Sequence, residues 1–171
     1  MLAIGSPAPD FTLPADDGTT FRLRDALAAG PLVLYFYPAD FTPVCTKEAC
    51  MFRDRAQDLA SAGVRVVGVS PQGAAMHAKF RQRFGLTFPL LADEKRTAIR
   101  AYDALALLGI AVSRVSYLVE PAAAPAAGGA ASSATGEPAP GVIRDAVRDG
   151  FRVRSHEEFV ERVLARAKTP R

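Results

Sequence analysis

The stretch Leu32-Val33-Leu34-Tyr35-Phe36-Tyr37, followed at once by Pro38-Ala39-Asp40-Phe41-Thr42-Pro43-Val44-Cys45-Thr46-Lys47-Glu48-Ala49-Cys50, decides how the chain is read. An unbroken apolar and aromatic run of this length is the pattern of a strand covered on both faces. Residues 46–61 then have helix-forming composition and are stopped by Gly63. Both cysteines of the chain sit at this strand-to-helix junction, and Pro38 and Pro43 restrict the loop ahead of the first. A thiol in the first turn of a helix lies in the positive end of the helix dipole, which favours thiolate over thiol. A reactive sulfur belongs in such a place.

Outward from this junction, residues 65–70 read as a second strand bounded by Gly63 and Pro71, paired in parallel with the first across the helix. Ahead of it, residues 11–13 and 19–23 flank Asp17-Gly18 and predict a hairpin, with one helical turn over 25–29. Behind it, a helix over 72–84 closes at Gly85 and places Met76, Phe80 and Phe84 on one core-facing stripe, with His77 on or near the surface. A short extended piece at 89–91 and a helix over 94–102 follow, the latter turning Ala98, Ile99 and Tyr102 inward. Residues 112–120 alternate, with Val115, Tyr117 and Val119 on one side and Arg114, Ser116 and Leu118 on the other. Residues 142–147 predict an edge strand. The last helix is expected to start at Ser155 as cap, with Glu157 and Glu158 in its first turn and Phe159, Val160, Val163 and Leu164 as its apolar face. Alternating strands and helices behind a hairpin predict an α/β fold with a mostly parallel central sheet and flanking helices.

At 171 residues the chain suits one domain, 1–171. The segment 121–141 has four prolines, one charge and no large side chain. It cannot offset a backbone ordering cost of about 1–2 kcal/mol per residue, so a flexible insertion is expected there. A net charge of +3 with acidic residues mixed among the arginines excludes a clear nucleic-acid footprint. Two cysteines do not make a secreted disulfide scaffold. No apolar h-region opens the chain and no run reaches the roughly 18 residues a membrane span needs, so a cytoplasmic protein without membrane contact is expected. His77 and His156 lie far from the cysteines in sequence, and a zinc site needs about four ligands; neither metal nor other cofactor is expected.

A free thiol titrates near 8.5, so little of it is thiolate at neutral pH. Lowering that value to about 6 requires about 3.4 kcal/mol. A helix N-terminus supplies about 0.3–1 kcal/mol, and about 2 when partly buried. The dipole falls short, so a cation must stand nearby.

Residues 37–50, with their Pro-x-x-x-Thr-x-x-Cys pattern, resemble the active-site segment of the peroxiredoxins. The second cysteine five residues on resembles the Q-type branch, also called bacterioferritin comigratory proteins. The resemblance extends from Gly5-x-x-Ala8-Pro9-Asp10-Phe11 through Arg114 to the C-terminal helix. It implies a thioredoxin-like fold and reduction of hydrogen peroxide and alkyl hydroperoxides. It also implies Cys45 as peroxidatic thiol, Cys50 as resolving thiol, Thr42 and Arg114 as the other active-site residues, and thioredoxin or a similar dithiol as reductant. Arg114 is then the expected cation, and its planar fork suits the two oxygens of a peroxide. Thr42 can donate to sulfur or peroxide, Pro38 and Pro43 aim that loop, Glu48 one turn on can orient the arginine, and Phe41 is expected as a pocket wall. Val44 stands where the branch often has glycine. Because both thiols lie in one chain, a monomer is expected.

Five residues of ideal helix rise about 7.5 Å and turn about 500°, which separates the Cα atoms of 45 and 50 by roughly 8–9 Å. A disulfide tolerates at most about 7 Å, so the first turn must unwind before the bond closes. Two other readings compete. A protein thiol–disulfide oxidoreductase would normally use Cys-x-x-Cys, and a redox sensor would stop after one equivalent of oxidant.

Overall fold

The computed structural model describes residues 1–106, 109–122 and 139–168. The chain begins with β1 (Pro7–Ala8), the strands β2 (Thr12–Pro14) and β3 (Thr20–Arg22), and α1 (Leu23–Ala28). A βαβ unit follows: β4 (Leu32–Phe36), α2 (Pro43–Ser61) and β5 (Arg65–Ser70). Next come α3 (Ala74–Phe84), β6 (Leu90–Ala92) and α4 (Thr97–Ala101). A short pair, β7 (Leu105–Ala106) and β8 (Ala111–Val112), leads to β9 (Val115–Pro121), β10 (Gly141–Arg148) and α5 (Val153–Ala167).

Every residue of β4 is fully buried because the six-stranded sheet is covered on both faces. Leu32, Leu34 and Phe36 face one core with Leu23 and Leu27 of α1, Ile99 of α4 and Tyr117 of β9. Val33 and Tyr35 face the other, made with Phe52 and Leu59 of α2, Phe80 of α3, and Phe159 and Val163 of α5. Gly68 of β5 is small by necessity: a Cβ there would stand 2.7 Å from both Leu90 and the Tyr35 ring.

The strand order is β1-β10-β9-β4-β5-β6. The expected parallel pairing of β4 with β5 is present and continues into β6. β9 runs antiparallel to β4, and β10 antiparallel to β9, so the sheet is mixed rather than mostly parallel. β10 is not the edge: the two residues of β1 pair beyond it, in register Pro7 with Val142. The hairpin of β2 and β3 forms as predicted. Most of 121–141 lies outside the described residues. At its two ends Pro121 still pairs with Gly141, and the Ala122 amide donates to the Pro140 carbonyl at 3.1 Å.

All five helices start away from the expected residue: α1 opens two residues early at Leu23, α3 two residues late at Ala74, and the other three for reasons visible in their contacts. α2 begins at Pro43, where a missing N–H is harmless in the first turn. α4 begins at Thr97, because the Asp93 carboxylate accepts from the amides of Thr97 and Ile99, each at 2.8 Å. α5 begins at Val153, since the Asp149 carboxylate takes the amides of Phe151 and Arg152 and the Ser155 hydroxyl. Ser155 thus lies inside the helix and is not its cap, and Glu157 and Glu158 fall beyond the first turn.

The buried ridge of α3 also differs. Phe80 is fully buried, Phe84 is half-buried, and Met76 is 41% exposed. His77 is buried instead of lying at the surface. A shift of one residue turns an α-helix by about 100°, so a face centred on 77, 80 and 84 puts Met76 outside.

Candidate active site

β4 ends at Phe36, and the loop of 37–42 carries the chain from the sheet into α2. The loop is held from below. The buried Tyr37 hydroxyl donates to Asp40 Oδ1 at 2.7 Å, and His77 Nδ1 lies 2.7 Å from Asp40 Oδ2. The Asp40 amide donates to the Gln72 side-chain oxygen. Phe41 can then adopt φ 61°, a left-handed conformation that costs a non-glycine residue about 1–3 kcal/mol. Its ring packs edge-on against Phe80 at 5.1 Å and near Phe84 at 6.1 Å while remaining 45% exposed. Phe41 therefore forms part of a surface groove with Lys79, Gln82 and Arg83.

Thr42 is the N-cap of α2, with extended backbone, and Pro43 is the first helical residue. The Thr42 hydroxyl donates to the Ala39 carbonyl at 3.3 Å, and no side chain caps the helix. The amides of Val44 and Cys45 belong to the first turn, which no intrahelical carbonyl reaches. Cys45 thus lies within the first turn, 1% exposed, its sulfur in the field of these amides. Cys50 is half-buried, and both thiols are free.

Arg114 sits just before β9, on the same side as Ser116 and Leu118. The antiparallel pairing of β9 with β4, Val115 opposite Phe36, carries it to the end of the sheet where α2 begins. Its Nη1 lies 3.0 Å from Cys45 Sγ and 3.3 Å from Glu48 Oε2, and its Nε donates to the Gly150 carbonyl at 3.1 Å. Burial works against the guanidinium charge, but the contacts to Cys45 and Glu48 outweigh it and keep the group protonated. Glu48 is fully buried, not on the helix surface, because residue 48 follows Cys45 by three and shares its inward face. Burial pushes its carboxyl up to about 8, against the opposing pull of Arg114.

Of the residues singled out in the sequence, Cys45, Glu48 and Arg114 meet in one contact cluster. Thr42 and Pro38 lie in the loop above it, Cys50 stands on the next turn of α2, and Phe41 looks outward. The sequence reading missed Tyr37, Asp40, His77, Ser116 and His156, all buried. His156 Nδ1 lies 2.9 Å from Ser116 Oγ and 3.3 Å from Glu48 Oε1. Asp40 and Tyr37 stood inside the motif; the two histidines carried no local signal. Among the described residues no three His, Cys, Asp or Glu side chains group as a metal site requires, and no helix is long and apolar enough to cross a membrane.

Residues 4–124 match the AhpC/TSA family. The putative peroxiredoxin bcp of Coxiella burnetii is 44% identical over 104 residues, which cover 61% of this chain and 68% of that one. The crystal structure of peroxidoxin BcpB from Mycobacterium tuberculosis is 30% identical and superposes with a TM-score of 0.80, covering 99% of this chain and 100% of that one. A Xanthomonas campestris bacterioferritin comigratory protein, whose structures bear on its alkyl peroxide reduction activity, is 28% identical with a TM-score of 0.76, covering 98% of this chain and 99% of that one. The fold is accordingly thioredoxin-like. By the family match and these relatives together, the chain belongs to the AhpC/TSA family and, within it, to the peroxiredoxin Bcp/Q branch.

Proposed function

We propose that Cys45 is the peroxidatic thiol of a thiol peroxidase, that Cys50 resolves it, and that Arg114 and Thr42 serve the chemistry at the sulfur. The observation that carries the reading is the 3.0 Å contact between Arg114 Nη1 and a buried Cys45 sulfur in the first turn of α2. A charge-assisted contact to an ionised group contributes about 1.5–3 kcal/mol.

The Cys45 thiolate attacks one oxygen of the hydroperoxide, the O–O bond breaks, and sulfur becomes a sulfenic acid while the leaving alkoxide or hydroxide takes a proton. The Arg114 fork faces the oxygens as negative charge moves onto the leaving one. Pro38 and Pro43 stiffen the loop, and Glu48 orients the guanidinium. The Cys50 thiol then condenses with the sulfenic acid, forming the 45–50 disulfide and water. A dithiol such as thioredoxin reduces that bond and is itself oxidised. Burial of Cys45 at 1% exposure favours a small peroxide over a protein disulfide as its oxidant. The same reading takes the described elements as one domain, with 121–141 as an insertion, in a monomeric cytoplasmic protein.

Stopped-flow oxidation by hydrogen peroxide tests this. Cys45→Ser abolishes the reaction, and Cys50→Ser reacts with one equivalent and then stalls. Continued turnover by Cys45→Ser, or insulin reduction without peroxide consumption, overturns the assignment. A wild-type protein that stops after one equivalent with reductant in excess is a sensor rather than a peroxidase.

A further inference from the structure

The buried cluster behind Arg114 contains more than the peroxide chemistry uses. Glu48 and His156 are both fully buried, and Glu48 Oε1 has no hydrogen-bond donor directed at it among the described residues. The polar atom facing it is His156 Nδ1, at 3.3 Å. The other ring nitrogen, Nε2, lies 3.2 Å from the Asp149 carbonyl. A carbonyl only accepts, so Nε2 must carry a hydrogen. Burial holds the imidazole neutral, pulling it below the usual histidine range against the opposing contacts to Asp149. A neutral ring has one N–H; Nδ1 is therefore a lone pair. Ser116 Oγ lies 2.9 Å from it, so the Ser116 hydroxyl shares that one lone pair with any donor on Glu48. A carboxylate oxygen facing that same lone pair would be repelled and left without a donor, whereas a carboxylic O–H would be satisfied.

We propose that Glu48 is held as the neutral acid, with its proton on Oε1 directed at His156 Nδ1, and that His156 is thereby a positioning residue leaving the Arg114 charge undivided for the Cys45 sulfur. The proposal rests on reading Cys45 as the peroxidatic thiol, because only there does an undivided charge matter. Arg114 Nη1 reaches both Sγ and Glu48 Oε2. Were Glu48 an anion, two negative groups would compete for one nitrogen. With Glu48 neutral, Oε2 is a carbonyl oxygen that orients the guanidinium without neutralising it. The groups facing Glu48 are Arg114 ahead of β9, which also holds Cys45, His156 on α5, whose Nδ1 also meets Ser116 of β9, and the Tyr35 phenol of β4. Burial of Glu48 raises its carboxyl to about 8, in agreement with a proton held at neutral pH. The anchor of the arrangement is the 149–150 turn, whose successive carbonyls hold His156 Nε2 and Arg114 Nε.

Infrared spectroscopy of the reduced protein, without peroxide, tests this. The wild type shows the carbonyl stretch of a buried protonated carboxyl at pH 6.5. The band bleaches as pH rises through about 8 and is lost in Glu48→Gln. In His156→Leu the band shifts, and its bleaching midpoint falls by about one pH unit, because the neutral acid has lost its acceptor. His156→Gln, whose amide oxygen can accept a hydrogen bond from the Glu48 O–H, restores the wild-type band. Equal spectra for wild type and Glu48→Gln, or a band indifferent to His156→Leu in a folded protein, overturns the proposal. Failure of the peroxidase reading shows up separately, as turnover surviving Cys45→Ser.

Discussion

In the proposed cycle, closing the 45–50 disulfide opens the start of α2, and the structure gives that opening a size. Both cysteines lie inside the helix, Cys45 in its first turn and Cys50 five residues on, which separates their Cα atoms by roughly 8–9 Å against a tolerance of about 7 Å. The bond from the Thr46 amide to the Thr42 carbonyl, 2.9 Å, spans this turn. Moving the sulfur also breaks its contact with Arg114, which holds about 1.5–3 kcal/mol while sulfur is anionic. That alone keeps the opened form at roughly one molecule in ten to one in a hundred of the reduced protein. Val44 occupies the first turn, and glycine there is poorer than valine in a helix by about 0.4 kcal/mol. Val44→Gly should therefore speed disulfide closure about twofold without changing the rate of the first reaction with peroxide. Quenched-flow thiol counting reads the closure, and hydrogen-exchange mass spectrometry of the 43–52 peptide reads the opening. In oxidised protein the amides of 46–50 lose their protection. A fully formed 45–50 bond with those amides still protected would refute the geometric argument.

Arg114→Lys keeps a charge but loses the fork that holds Gly150, Glu48 and the sulfur together; Cys45 oxidation should slow by about 10–100-fold, read by stopped flow. The raised carboxyl of Glu48 makes folding release stability as pH rises: the contribution is full below the unfolded carboxylate value near 4.5 and is lost as pH climbs through about 8. Thermal melts from pH 5 to 9 should show that decline, and Glu48→Gln should flatten it. Asp149 has the opposite sign. The Phe151 amide, then the Ser155 hydroxyl and Arg152 amide, hold it down at about 2, so its contribution is present above pH 4 and lost on acidification through about 2. Tyr37→Phe leaves the buried Asp40 without one of its donors and should cost about 1.5–3 kcal/mol in chemical denaturation.

The βαβ unit was legible because each piece carries a strong local signal: β4 as an unbroken apolar run, β5 as β-branched residues between Gly63 and Pro71, and α2 as the helix between them. The position of Cys45 at a helix N-terminus followed from the same segment. Strand direction in the other half of the sheet was not legible. β9 and β10 take their sense from a hairpin whose connection, 121–141, has no directional pattern of its own, and β1 is two residues long, too short to announce that it covers β10. The buried histidines were missed for a related reason. Nothing local distinguishes His77 from a surface residue; only Asp40, brought beneath it by the loop after β4, makes burial affordable. His156 is buried because Ser116 and Glu48 converge on it from β9 and α2.

On the proposed reading, the residues that activate Cys45 and the geometry that lets Cys50 resolve it are in opposition, and this sets the order of events. While sulfur is a thiolate, Arg114 attracts it and the first turn of α2 stays wound, so Cys50 cannot reach it. Transfer of oxygen turns the anion into a neutral sulfenic acid. The attraction drops from a charge-assisted contact to an ordinary one, about 0.5–1.5 kcal/mol, and the cost of unwinding drops with it. Oxidation thus loosens the turn that must open. A Cys45→Ser variant, whose hydroxyl is neutral, should mimic the oxidised side of this comparison, with amides 46–50 exchanging about 5–10-fold faster than in the reduced wild type at pH 8. Equal exchange in the two proteins would show that the charge on sulfur does not hold the helix shut.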